Sequence, residues 1–292
     1  MTPPIPLLQS PEFARTLTAL GLPVRRHQGC FGPGSSAVWQ VQSRRLAVLG
    51  PVDLISRGPV WDGPPRMAAW LQALPRSRPL ILNAGTACPN GLRDAGFWPL
   101  ITPASLAILD LQDPTLMRAA LHQKWRNRLV RAEGAGLQVT QGPLSPGHWL
   151  LSAEVAQQRS KRYRGLPAGT WLPFAMANPG KAQVVEARDR DGPVAAALIL
   201  RHGAMATYQI GVSTDSGRRS NAMNLVLWRA ICALADVGVR QLDLGAVNTD
   251  DAPGLARFKL GTGAQIHRLG GTWLYARALA PLACRLPERL AA

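Results

Sequence analysis

Hydrophobic and polar positions beyond residue 113 alternate between helical spacing and short apolar runs. A stretch over 115–133 has apolar residues at helical intervals and follows Asp113, a favourable N-cap, so it predicts one long helix. Farther on, three apolar runs with short polar links predict consecutive antiparallel strands, and Asp191-Gly192 between the first two is typical of a hairpin. The predicted order is helix 115–133, strand 137–140, helix 146–164, strands 182–188, 193–201 and 204–212, helix 221–237, strand 241–245, helix 253–260 and strand 264–275.

This order predicts a mixed sheet, because three meandering strands are followed by a crossover helix and a strand that returns parallel. Ligands of such sheets bind beyond the carboxyl ends of the strands, beside the crossover helix. We therefore expect the functional site where strands 204–212 and 241–245 end.

The first 113 residues also mix helices and strands, but they contain no cluster of acids, histidines or nucleophiles. We expect three parts in the chain: a first domain over 1–113, a second over 114–275, and a short, proline-broken helical tail over 276–292. The elements predicted in the first domain are helices 12–20, 66–74 and 87–95 and strands within 37–49, 79–83 and 98–111.

Composition narrows the class of protein. With 47% hydrophobic and 17% charged residues over 292 positions, the chain can bury large cores, which excludes a disordered or fibrous protein. No apolar run approaches the roughly 20 residues that cross a bilayer, and the N-terminus lacks the pattern of a signal peptide, so we expect a cytoplasmic protein. The four cysteines are far apart and form no CxxC pair, so we expect neither a metal site nor a disulfide framework.

Charge points to anionic partners. Lysine and arginine number 33 against 17 acids, and this balance of +16 attracts phosphates, RNA or acidic lipid surfaces. Residues 159–164 alone carry four positive charges, which also suit an exposed helix end. Lysine occurs only at positions 124, 161, 181 and 259, and a lysine retained in an arginine-rich chain indicates a place where a compact ammonium matters.

Three motifs, in this order along the chain, resemble the FemAB-like branch of the GNAT acyltransferase superfamily. They are KWRNRLVRA at 124–132, YQIG at 208–211 leading to NAMNL at 221–225, and DLG at 243–245 followed by GLARFKLG at 254–261. The resemblance implies an α/β fold of two GNAT-like lobes with mixed, partly antiparallel sheets, of which the N-terminal lobe is degenerate. It also implies an N-acyltransferase in which an amine attacks an activated acyl donor directly, with no permanently bound cofactor.

The resemblance leaves the donor open between acyl-coenzyme A, as the first expectation, and aminoacyl-tRNA. Ordinary GNAT enzymes hold the coenzyme A pyrophosphate on a loop with several glycines, whereas residues 213–220 contain one glycine here. The following helix start still offers amides and a positive dipole to an anion. We therefore assign donor binding to Arg218, Arg219, Ser220 and Asn221, and to Phe258, for which core packing is the alternative.

The same resemblance suggests roles in catalysis and substrate binding. Lys259 would face the donor carbonyl oxygen as negative charge develops, with an ordinary surface lysine as the alternative. Asp243 would accept a proton from the attacking amine or orient it, or else cap the chain or pair with an arginine. Lys124, Arg126 and Tyr208 are assigned to substrate binding, although the two cations would equally suit a solvated helix face.

The acceptor expected for such an enzyme is the amine of a small molecule or of a cell-envelope precursor. The competing interpretation is a non-catalytic protein that uses a basic groove to bind RNA or an anionic membrane surface. Peripheral contact with such a membrane, or with tRNA, is also compatible with the enzyme.

Overall fold

The computed structural model describes residues 4–47, 50–161 and 165–285. The chain forms two compact units, Met1–Ser105 with Arg268–Ala292 and Leu106–His267, and each has a mixed seven-stranded sheet. This division differs from the expected boundaries at 113 and 275, because the strand before residue 113 joins the second unit and only the second part of the predicted closing strand joins the first. Within the described ranges, no helix is long and apolar enough to cross a membrane.

The first unit begins with a helix and a long antiparallel ribbon. Its sheet has the order β1-β2-β3-β5-β14-β6, in which β14 is the later segment Thr272–Tyr275. β4 pairs with β2, and β3 and β5 run parallel. The elements up to residue 105 are α1 (Pro11–Ala19), β1 (Val24–Cys30), β2 (Ser36–Leu46), β3 (Gly50–Gly58), β4 (Val60–Asp62), α2 (Met67–Ala73), β5 (Leu80–Ala84), α3 (Pro89–Asp94) and β6 (Phe97–Ile101). Sequence reasoning missed β1, whose arginines and histidine hide its strand character, and also β3 and β4.

The second unit follows the predicted order of elements closely. Its sheet has the order β13-β7-β12-β11-β10-β9-β8. The elements are β7 (Ser105–Asp110), α4 (Pro114–Ala120), α5 (Gln123–Glu133), β8 (Gln138–Pro143), α6 (Trp149–Lys161), α7 (Trp171–Ala177), β9 (Ala182–Asp189), β10 (Gly192–His202), β11 (Met205–Ser213), α8 (Asp215–Arg219), α9 (Ala222–Asp236), β12 (Gln241–Val247), α10 (Pro253–Leu260) and β13 (Gln265–Arg268).

Several helices pack on the strands of this second sheet. α9 packs across β9, β10 and β11 and against α5, and together they enclose one apolar core. α6 lies against β11, and α7 lies against β9. The end of β11 and the start of α9 are therefore fixed by packing on the same sheet.

The long helix predicted over 115–133 is wrong in one respect, since it is two helices. Asp113 caps the first as expected, its side chain accepting from the Thr115 N–H. At Leu121 and His122 the backbone is extended, with ψ of 136° and 141°, and the His122 N–H donates to Gly261 O at 3.0 Å. A tertiary hydrogen bond thus replaces a helical one at the break.

Two further expectations are corrected. The polar loop predicted over 213–220 contains the short helix α8. The single closing strand predicted over 264–275 is two strands, β13 and β14 (Thr272–Tyr275), which belong to different sheets. Between them, a Cβ at Gly270 would stand 2.0 Å from Thr86 O, and Gly271 has φ +85°, so the chain turns where only glycine fits.

The predicted tail contains the short helix α11 (Ala280–Ala283). Residues 286–292 of that tail lie outside the described residues, as do residues 162–164 of the predicted basic cluster.

Candidate active site

The sheet of the second unit opens between β11 and β12. The two strands pair in parallel only from Met205–Thr207 to Gln241–Asp243, although β11 continues to Ser213 and β12 to Val247. β11 also has a bulge, because its register against β10 shifts between Tyr208 and Ile210. The divergence leaves the carboxyl ends of two neighbouring strands separated, as expected for a site at this edge of the sheet.

Lys259 lies beside this divergence. It is carried by α10, is only 7% exposed, and its Nζ donates to Ala246 O of β12 at 2.7 Å. The same nitrogen is 3.5 Å from where a Cβ on Gly245 would stand, and Gly245 itself has φ +81°. The ammonium is therefore buried against the part of β12 that no longer pairs with β11, and Lys259 is not an ordinary surface lysine.

Asp243 is the last residue of β12 that pairs with β11. It is 1% exposed, and its carboxylate accepts a hydrogen bond from the Gly245 N–H at 2.8 Å. Burial lowers the pKa of Lys259 from 10.5 to about 8, although the negative charge of Asp243 acts in the opposite direction. Asp243 therefore orders the end of β12 and partly offsets the cost of burying the ammonium; its role as proton acceptor stays a prediction.

α10 is held in place from α5. The Trp125 Nε1–H donates to Phe258 O at 3.0 Å, and the rings of the two residues lie 6.1 Å apart. Phe258 is half-buried and packs against the apolar core. Its backbone and ring thus serve packing, and contact with a donor stays a prediction.

Tyr208 stands at the bulge of β11. Its hydroxyl donates to Met223 Sδ in the first turn of α9, at 3.6 Å. A Cβ at Gly211 would stand 1.6 Å from the Tyr208 oxygen, so the ring lies directly over that glycine. The YQIG motif therefore pairs a tyrosine with the glycine that leaves it room, and substrate contact by Tyr208 stays a prediction.

The residues assigned to donor binding lie between β11 and α9. Arg218 and Arg219 are exposed, and the Arg218 guanidinium donates to Ser213 O and to Asp215. Ser220 donates to Ser216 O, while Asn221 has φ +55° and forms the N-cap of α9. These four residues lie close together because they are consecutive in the chain. The hydrogen bonds named here join them to other residues of the same segment.

The single glycine of this segment, Gly217, lies within α8. The Gly217 N–H donates to Thr214 Oγ1 at 3.1 Å, and a Cβ on Gly217 would stand 2.1 Å from Val194 O. The glycine thus permits close packing of α8 on β10, and its amide is engaged within the helix turn. An amide cradle for a pyrophosphate is not built from Gly217.

The two cations predicted on α5 differ from each other. Lys124 is exposed, whereas Arg126 donates to Ala119 O at 2.6 Å and to Leu121 O at 3.1 Å. Arg126 thus satisfies carbonyls at the end of α4, and substrate binding by either residue remains a prediction.

Sequence reasoning missed polar side chains on α6. Glu154 is 5% exposed, and Gln157 and Gln158 donate to its carboxylate at 3.3 and 2.8 Å. The Gln157 amide also donates to Gly211 O, in the part of β11 that β12 does not pair with. Spacing of three and four residues on one helix was the available signal, but it did not tell a buried polar face from a solvated one.

Two cavities of about 190 and 420 Å³ lie along α9 and the strands β8 to β10. Their walls include Val185, Ala233 and Gln141, but none of the residues assigned to catalysis or binding. These cavities are therefore not the site built around Lys259.

Comparisons with known proteins agree with this geometry. Residues 171–264, which include β9 to β12 and Lys259, match the family model described as an acetyltransferase (GNAT) domain. No curated protein matches the chain by sequence.

Solved structures reproduce both units. The crystal structure of FemX is 15% identical with a TM-score of 0.73, over 95% of this chain and 93% of that one. The C-terminal domain of a putative lysylphosphatidylglycerol synthetase from Agrobacterium fabrum is 15% identical with a TM-score of 0.53, over 95% and 91%. A tandem GNAT protein from the clavulanic acid biosynthesis pathway is 12% identical with a TM-score of 0.51, over 94% and 89%.

The predicted fold of two GNAT-like lobes with mixed, partly antiparallel sheets is confirmed by these likenesses. The family match adds the class of activity, since it covers the strands that diverge and the helix that carries the buried lysine. Residues 171–264 therefore match an acetyltransferase (GNAT) domain, and the whole chain has a tandem fold similar to that of FemX.

Proposed function

We propose that this protein is an N-acyltransferase in which an amine attacks an activated acyl donor directly, where β11 and β12 diverge. The observation that carries the proposal is the buried Lys259 ammonium beside that opening, held on Ala246 O. Burying a lysine costs stability, and such a group is retained most readily where it has a task.

Lys259 would stabilise the oxyanion that forms when the amine attacks. Its ammonium spends one N–H on Ala246 O and carries two more for the donor carbonyl oxygen. A preorganised donor of this kind contributes about 3 kcal/mol to transition-state stabilisation, and proximity of the two substrates adds to this.

The pKa of Lys259 predicts an alkaline limit for the reaction. With a value of about 8, the ammonium loses its proton as pH rises through that value, and with it the ability to donate. We expect kcat to fall above pH 8 and the acceptor amine to set the acidic side of the profile. A profile that stays flat from pH 8 to 10 would argue against the ammonium form.

Asp243 has a supporting place in this proposal. Because it is buried and already accepts from Gly245, it would stabilise the protonated Lys259 and could receive the proton of the amine only through a small movement. Substrate binding by Lys124, Arg126 and Tyr208 belongs to the proposal as well.

Acyl-coenzyme A is the first candidate donor, used as a co-substrate rather than a bound cofactor. The family description of an acetyltransferase supports it. Arg218, Arg219, Ser220, Asn221 and Phe258 would contact it at the start of α9 and on α10.

Aminoacyl-tRNA is the second candidate donor, favoured by one specific observation. The Gly217 amide is engaged by Thr214, so the phosphate cradle of ordinary GNAT enzymes is reduced, and the net charge of +16 suits a polyanionic donor. A structural neighbour whose name includes lysylphosphatidylglycerol synthetase supports transfer of an aminoacyl group onto an envelope component.

The acceptor would be the amine of a small molecule or of a cell-envelope precursor. We place the reaction in the cytoplasm, with peripheral contact to an anionic membrane where the acceptor is a lipid.

Thermal unfolding of the purified protein with candidate donors tests the proposal first. Acetyl-coenzyme A, a long-chain acyl-coenzyme A and charged tRNA should separate, because a donor that binds the folded state raises the melting temperature by mass action. Amine-dependent loss of the acyl group from the stabilising donor should then follow. Stabilisation by none of the donors, together with no turnover over a panel of amines, would contradict the proposal.

A non-catalytic role in binding a polyanion is favoured by a different observation, the exposed face of α5. Lys124, Arg128 and Arg131 lie at helical spacing on this face. The one acid of α5, Glu133, is engaged by two hydrogen bonds from Arg118, which lower its pKa. This role predicts retention of RNA or anionic vesicles by the parent protein, unchanged by Lys259→Ala, with no turnover in either protein.

A further inference from the structure

At the end of α10, Lys259 lies between Phe258 and Gly261 in the chain. The carbonyl groups of these two residues accept hydrogen bonds from α5 and from the residue just before it. Phe258 O accepts from the Trp125 indole at 3.0 Å, and Gly261 O accepts from the His122 N–H at 3.0 Å. The two carbonyls flank Lys259 in sequence, so the helix turn that aims the lysine is fixed on both sides of it.

The contact between Trp125 and α10 leaves no spare room. A Cβ at Gly261 would stand 2.7 Å from Trp125 Cδ1 and 2.9 Å from Arg257 O. Trp125 itself is 3% exposed, and its ring meets Phe258 at an interplanar angle of 36°. The indole therefore packs on the end of α10 as well as donating to it.

The break between α4 and α5 belongs to the same arrangement. A continuous helix over 115–133 would spend the His122 N–H on a carbonyl one turn earlier. Because the chain is extended at Leu121 and His122, this N–H reaches Gly261 instead, and Trp125 enters the first turn of α5. The interruption that sequence periodicity does not predict thus delivers both donors to α10.

We propose that Trp125 is a positioning residue, which holds the end of α10 so that the Lys259 ammonium stays on Ala246 O at the divergence of β11 and β12. The inference rests on the proposed function for its catalytic meaning, but its structural part concerns Lys259 alone. Thr262 completes the arrangement, since its hydroxyl donates to Lys259 O at 2.7 Å.

A plain packing role for Trp125 makes a different prediction. Phenylalanine would keep an aromatic ring in the core, but it would remove the N–H that bonds to Phe258 O together with part of the ring volume. If the residue serves packing alone, Lys259 keeps its environment in Trp125→Phe. If it positions α10, the turn loosens, water reaches the ammonium, and its pKa rises towards 10.5.

The lysine content of the chain makes this measurable without any substrate. Only four lysines occur, at positions 124, 161, 181 and 259, so carbon-13-labelled lysine gives few signals to follow by NMR. Asp243 is the charged group whose effect on the pKa of Lys259 is resolved, and it stays in place in every variant. In the parent protein the Lys259 signal should titrate near pH 8.

Trp125→Phe should raise the Lys259 midpoint by about half a unit or more. The matched control is Trp149→Phe, which removes another indole hydrogen bond of the same unit, from α6 to Glu186 of β9. It should leave the Lys259 midpoint unchanged, even if it lowers the melting temperature as much as Trp125→Phe does.

A second pair of variants keeps the test decisive if Trp125→Phe folds poorly. Gly261→Ala would crowd both the indole and the Arg257 carbonyl without removing the indole N–H, whereas Gly254→Ala on the same helix meets no atom within 4 Å. The first should raise the Lys259 midpoint and the second should not.

Equal midpoints in the parent protein, Trp125→Phe and Gly261→Ala would overturn the inference. The expected result is a raised Lys259 midpoint in Trp125→Phe and in Gly261→Ala, with kcat lowered and the KM of the donor nearly unchanged. If the midpoint rises but the parent protein transfers no acyl group from any donor, the positioning of Lys259 stands and the proposed function fails.

Discussion

Replacing Lys259 by methionine should stabilise the protein at neutral pH. Methionine keeps the length and apolar stem of lysine and removes the charge that burial disfavours. A variant that loses activity while gaining stability is the expected signature of a group kept for function at a cost in folding free energy.

The magnitude follows from the pKa of Lys259. Lowering it from 10.5 to about 8 corresponds to a free-energy cost of about 3 kcal/mol to the folded state. Leaving Ala246 O without its donor returns about 1 kcal/mol of that. Lys259→Met should therefore raise the free energy of unfolding at pH 7 by about 2 kcal/mol.

The pH dependence has a definite sign. Below pH 8 the lysine is protonated in both states, so the cost of burial is present in full. Between about pH 8 and 10.5 the unfolded chain binds more protons than the folded one, and the free energy of unfolding of the parent protein rises with pH. The advantage of Lys259→Met should shrink across this window and vanish above it.

Urea unfolding at pH 7, 8, 9 and 10 measures this difference, with Lys124→Met as the control because Lys124 is exposed. The control should follow the parent protein at every pH. The reasoning is refuted if Lys259→Met is no more stable than the parent at pH 7 and the difference between them does not change with pH.

Two glycines give further predictions. Gly211→Ala should displace Tyr208, whose oxygen would stand 1.6 Å from the new Cβ, and should lower turnover with a loss of about 1–2 kcal/mol in urea unfolding. Retention of full turnover would show that the Tyr208 ring is not needed where it stands. Gly217→Ala should cost more, about 2–3 kcal/mol, because the new Cβ meets the Val194 carbonyl at 2.1 Å and backbone moves less readily than a side chain. Gly142→Ala, which meets no atom within 4 Å, is the control. A loss of stability in Gly142→Ala equal to that in Gly217→Ala would contradict the steric argument.

The elements that the sequence predicts well carry local signals. The hairpin at Asp191-Gly192 joins β9 to β10 as expected, and α10 spans the predicted residues 253–260. Proline at the start of a helix and glycine after its end are local rules that tertiary packing seldom overrides.

The elements that it predicts poorly depend on distant partners. Nothing within 115–133 announces that the His122 N–H will bond to Gly261, so periodicity continues the helix through the break. In the same way, Gly270 turns the chain because Thr86 O occupies the space beside it, a constraint that only the folded first unit imposes.

The sequence proposed residue types for the candidate site but could not propose their arrangement. The motif around Lys259 identified the lysine, and burial against β12 could be learned only from the structure. Arg126 was assigned to a phosphate by its charge, and the structure adds that its guanidinium bonds to backbone carbonyls at the end of α4, while substrate binding by this residue stays a prediction. Net charge describes a whole chain, and it does not tell which cations are already engaged.

The central claim is that Lys259 supplies the charge that stabilises acyl transfer, and turnover by Lys259→Met tests it most directly. With the donor that stabilises the parent protein and a reactive amine, kcat should fall by about 100-fold or more, while the melting-temperature shift with that donor is retained. Turnover of Lys259→Met equal to that of the parent protein would contradict the account.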